Sequence, residues 1–187
     1  MMQHTGRLAA AVVTLALALG SAAGWAQTAN EDSALEQPQA EVTAEHQDWI
    51  VRCQPAPEEA FGAGDLCEMY QQVSEQNSQQ TVLEVVIGYP QGAEQPIALF
   101  NLPLGMRLPP GVALSVDGNE PVNFPIQICL RSGCRTDIAL NEELLSQMLA
   151  GTQAQLTIAD PQNREIQLPL SLLGFSAALD DVQASTN

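Results

Sequence analysis

Residues 154–170 read AQLTIADPQNREIQLPL. Ala154, Leu156 and Ile158 alternate with Gln155 and Thr157, and Ile166, Leu168 and Leu170 alternate with Gln167 and Pro169. Strict alternation places one apolar and one polar face on each segment, the signature of a half-buried strand. The intervening Asp160–Asn163 is turn chemistry, so the stretch predicts a β-hairpin with one face in a core. Pro169 cannot donate to a ladder on both sides, which puts its strand at a sheet edge.

The same period recurs upstream. In QDWIVRC, Trp49, Val51 and Cys53 share one side of an extended chain, and in TVLEVVIGY so do Leu83, Val85, Ile87 and Tyr89. Asp117–Gly118 marks a tight turn after Leu114 and Val116. One helix is announced over about 141–150. Asn141 is an N-cap, Glu142 and Glu143 sit at the positive dipole end, and Leu140 can staple to Leu145. Leu144, Leu145, Met148 and Leu149 form its apolar stripe, with Gly151 at its end. A shorter helical turn fits GFSAALDDV near the C-terminus. Many short strands and one or two helices predict a mainly-β sandwich.

The chain opens with Arg7, an apolar run from Leu8 to Gly20, and small residues up to Ala26. That order matches a secretory signal peptide over 1–26, and the run is shorter than the roughly 20 residues a bilayer span needs. Cleavage near Ala26 leaves no second long apolar stretch, so no transmembrane segment is expected in the exported part. Residues 27–45 are polar and acidic and read as a disordered leader. A single domain is expected over 46–182, with a flexible tail over 183–187.

The chain has 22 acidic residues, six arginines and no lysine, a net charge of −16. Such a field repels phosphate backbones and anionic lipid headgroups, which argues against nucleic acid as a partner and against simple membrane adsorption.

Four cysteines in an exported chain read as two disulfides. If Arg131 and Ser132 form a two-residue turn, Cys129 faces Cys134 at the close cross-strand position, about 4.5 Å between Cα atoms and within bridging reach. Cys53–Cys67 follows by elimination. Loop-closure entropy credits the longer bridge with about 3 kcal/mol and the shorter with about 2. A redox role would want two residues between the cysteines, not four, and a structural zinc site would want added close ligands.

Catalytic motifs fail on context. GFSAA at 174–178 lacks the second glycine of a nucleophile elbow and its alternating strands and helices. FGAG at 61–64 lacks the third glycine of a phosphate cradle. Asp117, Asn119 and Glu120 offer oxygens to calcium without its twelve-residue pattern. His46 is the one histidine beyond the leader. No catalytic residue, cofactor or metal site is therefore assigned, and a non-enzymatic protein is expected.

Four stretches in order, W-x-V-x-C at Trp49–Cys53, LPLGMRLPPGV at Leu102–Val112, C-x-x-x-x-C at Cys129–Cys134 and SLLGFSAAL at Ser171–Leu179, resemble the invasion-associated locus B family of bacterial exported proteins. The resemblance covers about 46–181. It implies an immunoglobulin-like β-sandwich and a periplasmic protein, with outer-membrane association or secretion as the alternatives. It also implies a link, in some members, to host-cell invasion. The leading expectation is a binding module for an envelope or host protein; a host-cell adhesion factor and a periplasmic thiol oxidoreductase are the competing readings. Loops on a rigid scaffold commonly carry contacts. The candidate contact residues are Phe61 and Leu66 in the loop tethered by Cys53–Cys67, and Leu102, Arg107 and Val112 in the proline-rich stretch.

Overall fold

The structure is a computed structural model that describes residues 40–55, 65–75, 77–90 and 92–186. Eleven strands and two helices follow one another: β1 Glu41–His46, β2 Trp49–Pro55, β3 Asp65–Ser74, β4 Thr81–Gly88, β5 Ile97–Leu102, β6 Val112–Val116, β7 Val122–Phe124, β8 Ile128–Leu130, β9 Gly133–Ala139, α1 Glu142–Ala150, β10 Gln153–Ala159, β11 Glu165–Ser171 and α2 Phe175–Thr186. Seven strands form one sheet in the order β1-β2-β3-β4-β5-β9-β8, and four form a second in the order β11-β10-β6-β7. Every pairing is antiparallel. The chain is the mainly-β, two-sheet sandwich that its alternation predicts.

The hairpin at 154–170 sets the second sheet. Leu156 pairs with Leu168 and Ala154 with Leu170, and all four side chains are buried. Asp160 closes the turn, accepting the N–H groups of Gln162 at 2.9 Å and Arg164 at 2.8 Å. Pro169 lies on β11, an edge strand, as its missing N–H requires. In the larger sheet Trp49, Val51, Met69, Leu83, Val85, Ile87 and Phe100 point inward and are buried, each stabilising by about 1.5–3 kcal/mol or more.

The inner face of the larger sheet exceeds what four strands can cover, and α2 covers the remainder. It packs across β1–β4 and contributes Phe175, Ala178, Leu179 and Val182 to the core. Gly174 makes this docking possible: at φ +87° it lies so close to β1 that a Cβ would stand 2.0 Å from the His46 carbonyl oxygen.

Three expected boundaries move. Residues 41–45, read as leader, form most of β1, because Glu41 and Glu45 stay exposed while the backbone pairs with Cys53 and Ile50. An exposed edge strand carries little apolar signal. The short C-terminal turn is a full helix, and the flexible tail expected from 183 continues that helix to Thr186. Among the described residues there are thus two helices, not one. In α1 the cap is as expected, Asn141 Oδ1 accepting the Leu144 N–H at 2.9 Å. Only Leu144 and Met148 are buried there; Leu149, at the margin of the stripe, is 42% exposed.

Candidate interaction face

The candidate contact residues separate. Phe61 lies outside the described residues. Leu66 stands half-buried on β3, pointing away from the core. Leu102 and Val112 are corrected from contact residues to core residues, 2% and 0% exposed, because they are the last inward position of β5 and the first of β6. Arg107 is exposed in the connection between them, its N–H donating to the Ala159 carbonyl at 2.8 Å.

Both bridges form as expected. Cys129 faces Cys134 across the β8–β9 turn, with Cα atoms 4.0 Å apart. Cys53 and Cys67 are likewise direct cross-strand neighbours on β2 and β3, at 4.1 Å. They clamp two adjacent strands as well as close a loop.

The outward face of the larger sheet is covered by neither the second sheet nor a helix among the described residues. A row of polar side chains crosses five of its strands there. Arg52 on β2 pairs with Glu68 on β3, Nη2 to Oε1 at 2.6 Å and Nε to Oε1 at 2.7 Å. Its guanidinium also lies 4.4 Å from the Tyr70 ring centroid. Tyr70 donates its hydroxyl to Glu84 Oε2 on β4 at 3.2 Å, and Asn101 Nδ2 on β5 donates to Glu84 Oε1 at 2.7 Å. Arg135 Nε on β9 donates to Asn101 Oδ1 at 3.0 Å. Partial burial, and then the Glu84 carboxylate beside it, push the Tyr70 phenol above its ordinary range, with Arg52 opposing. The phenol therefore stays a donor at neutral pH and holds the row in one register.

Beside the row lies a cleft of about 250 Å³ lined by Leu66, Val86, Tyr89, Ile97 and Leu99, with Cys67 at its floor. Gly88 keeps it open, since a Cβ there would crowd the Cys67 carbonyl at 3.3 Å. Cross-strand cation–π and ion-pair contacts at half-exposed sites each contribute up to about 1 kcal/mol, so the row preorganises a surface more than it stabilises the fold. Each charged group of the row is held by a neighbour within it, Arg52 by Glu68, Glu84 by Tyr70 and Asn101, and Arg135 by Asn101. Elsewhere, His46 Nε2 sits 2.6 Å from Asp181 Oδ2 and ties β1 to α2. Asp117, a calcium candidate by sequence, spends its carboxylate on the Thr152 and Gln153 N–H groups at 3.0 Å each.

Apart from Leu66, which lines the cleft, sequence reasoning passed over this face. Yet Val82 and Val86 on β4, and Ile97 and Leu99 on β5, occupy the positions that alternation assigns to solvent. Apolar residues on both faces of a strand signal cover on both sides.

A family model described as invasion associated locus B (IalB) protein matches residues 49–183. The chain belongs to the invasion associated locus B family. Two similar proteins are the invasion protein B homologs of Brucella abortus strain 2308 and of Brucella abortus biovar 1 strain 9-941. Each is 29% identical over 142 residues, covering 75% of this chain and 79% of the relative. The crystal structure of invasion associated protein b from Bartonella henselae has the same fold, with a TM-score of 0.66 at 21% identity over 77% of this chain and 96% of that one.

Two of the stretches that carry the family resemblance, Trp49–Cys53 and Ser171–Leu179, converge in the interior. Trp49 and Phe175 meet edge to face with ring centroids 5.4 Å apart, and Trp49 Nε1–H donates to the Ser171 carbonyl at 3.0 Å. Gln71 grips the same residue, Nε2 donating to Ser171 O at 3.1 Å and Oε1 accepting Ser171 N–H at 3.0 Å. In this chain these two motifs encode architecture; the outward polar row lies among residues outside all four stretches, apart from Arg52.

Proposed function

We propose that this IalB-family chain is a non-enzymatic binding module of the bacterial envelope, exported to the periplasm, that grips a protein partner on the outward face of its larger sheet. One observation carries the reading: a preorganised Arg52–Glu68–Tyr70–Glu84–Asn101–Arg135 row runs beside an apolar cleft on a sheet face that the fold leaves uncovered. Apolar area ringed by fixed polar groups is the common composition of a recognition site. Export is supported by the apolar run behind Arg7 and by two disulfides, which persist in oxidising compartments.

A photo-crosslinking residue at Leu99 or Val86, compared with one at Gln167 on the second sheet, tests the face in living cells. Adducts of one envelope protein from the first two positions are expected, those from Val86 being lost in Leu99→Arg. Equal adducts from all three positions would end the proposal. Recovery of a chain starting after Ala26 in the periplasmic fraction is the accompanying expectation. A second reading, action at a host surface, draws on the names of the Brucella relatives. A chain never reached by protease added to intact cells would remove it.

A further inference from the structure

The stretches 95–116 and 121–136 contain no acidic residue, nor do 1–30 and 144–159. The fold brings a loop from each of the first two to the same end of the sandwich. Leu102, the last residue of β5, pairs with Cys134 at the start of β9, so the β5–β6 connection leaves the sheet beside the β8–β9 turn. Gly133 seals that junction, since a Cβ there would stand 2.6 Å from the Leu102 carbonyl oxygen. The connection carries Arg107 between Leu104 and Leu108, which are 54% and 48% exposed. The turn carries exposed Arg131 next to Leu130, 54% exposed.

Arg107 and Arg131 thus stand at one end of the sandwich with exposed leucines beside them, and Arg135, held by Asn101 in the polar row, borders the same turn. Arg164 is also there and is neutralised by Asp160 at 2.6 Å. Acids stand at this end too, among them Glu84, which is held in the polar row, and Glu165 on the edge strand β11. Both loops are fixed before binding, the first by the Arg107–Ala159 bridge and a Gly111 N–H to Leu108 O bond at 2.9 Å, the second by its disulfide. Ordering them on a partner therefore costs little.

We propose that this end of the sandwich seats on an anionic lipid surface, with Leu104, Leu108 and Leu130 entering between headgroups and Arg107 and Arg131 meeting their phosphates. Alternation of aliphatic and guanidinium groups on protruding loops matches an interface in which hydrocarbon and charge lie in adjacent layers. The net charge of −16 opposes approach, but only within a Debye length of about 8 Å at physiological salt. β9 alone spans roughly 23 Å, so the acids at the far end are screened from a surface touching this one. Arg107 and Arg131 make none of the bonds of the outward polar row, so failure of either proposal leaves the other standing.

The test is flotation of the chain, purified as cells process it, with vesicles of phosphatidylcholine alone and of phosphatidylcholine with phosphatidylglycerol in equal parts. Binding is expected on the anionic vesicles, weakened by added salt. Each arginine removed should weaken it about fivefold, the equivalent of about 1 kcal/mol per cation near an anionic surface. Arg107→Gln with Arg131→Gln should therefore lose about 25-fold, and Leu104→Ser with Leu108→Ser should also lose binding. Arg131→Gln alone serves if a double variant melts early. No binding, equal binding on neutral vesicles, unchanged binding in the variants, or capture of an acidic protein without lipid would each overturn the proposal.

Discussion

Gln71 is the polar side chain most exposed to a decisive test. It lies 7% exposed on the inward face of β3 and reaches the edge strand of the other sheet, where it makes both hydrogen bonds to the Ser171 backbone. Replacing it with methionine keeps the volume and flexibility but removes both bonds, each contributing about 0.5–1.5 kcal/mol net. The two ends of the lost pair differ. The Ser171 carbonyl keeps the Trp49 indole N–H, whereas the Ser171 N–H loses the acceptor it had in Gln71. A stranded donor costs about 1–3 kcal/mol, so Gln71→Met should destabilise by about 2–3 kcal/mol in total. For a domain of this size that is roughly 7–10 °C in Tm. Urea denaturation followed by tryptophan fluorescence measures it, with Gln72→Met as control, since Gln72 is exposed on the opposite face and should move by less than about 0.5 kcal/mol. Trp49→Phe shares the Ser171 acceptor, so the double variant should depart from additivity by at least about 0.5 kcal/mol. Equal effects at positions 71 and 72 would refute the claim that a polar clamp joins the sheets.

Gly174→Ala places a Cβ against the His46 carbonyl at a positive φ, and it should cost more than about 3 kcal/mol and expose β1 to hydrogen exchange; normal protection of residues 41–46 would contradict the packing. Cys53→Ser with Cys67→Ser should cost about 3 kcal/mol, and Cys129→Ser with Cys134→Ser about 2, as read from urea midpoints. Reversal of that order would undercut the loop-entropy account. Asp117 and Asp160 are held below the usual carboxylate range, chiefly by the backbone N–H of Thr152 in the first case and of Arg164 in the second. A folded pKa below the unfolded value of about 3.9 stabilises above that pH and is lost as pH falls through the folded pKa. The Tm advantage of the wild type over Asp117→Asn with Asp160→Asn should therefore hold constant near neutrality and shrink under acid; a gap that does not narrow would refute it.

Much of the architecture was legible because alternation is a local code. The 154–170 hairpin, the edge placement of Pro169, the Asn141 cap and the Cys129–Cys134 pair all follow from residues within a few positions of one another. What escaped depends on distant partners. β1 is recognisable only through β2, and α2 gains its length from the sheet beneath it. Leu102 and Val112 flank a loop rich in proline and glycine and looked like part of it, yet each is the terminal inward residue of a strand. The polar row is assembled from five strands and has no sequence motif. Its one local trace is the excess of Val and Ile on the outward side of β4 and β5.

The closing helix has a consequence for biogenesis. Trp49, Val51, Met69 and Val85 emerge early in synthesis, yet Phe175, Leu179 and Val182, which shield that half of the sheet from water, emerge about ninety residues or more after the last of them. Until then that face of the first strands has no helix to cover it. A chain halted near residue 172 should accordingly bind a hydrophobic dye, and the same chain extended through Thr186 should not.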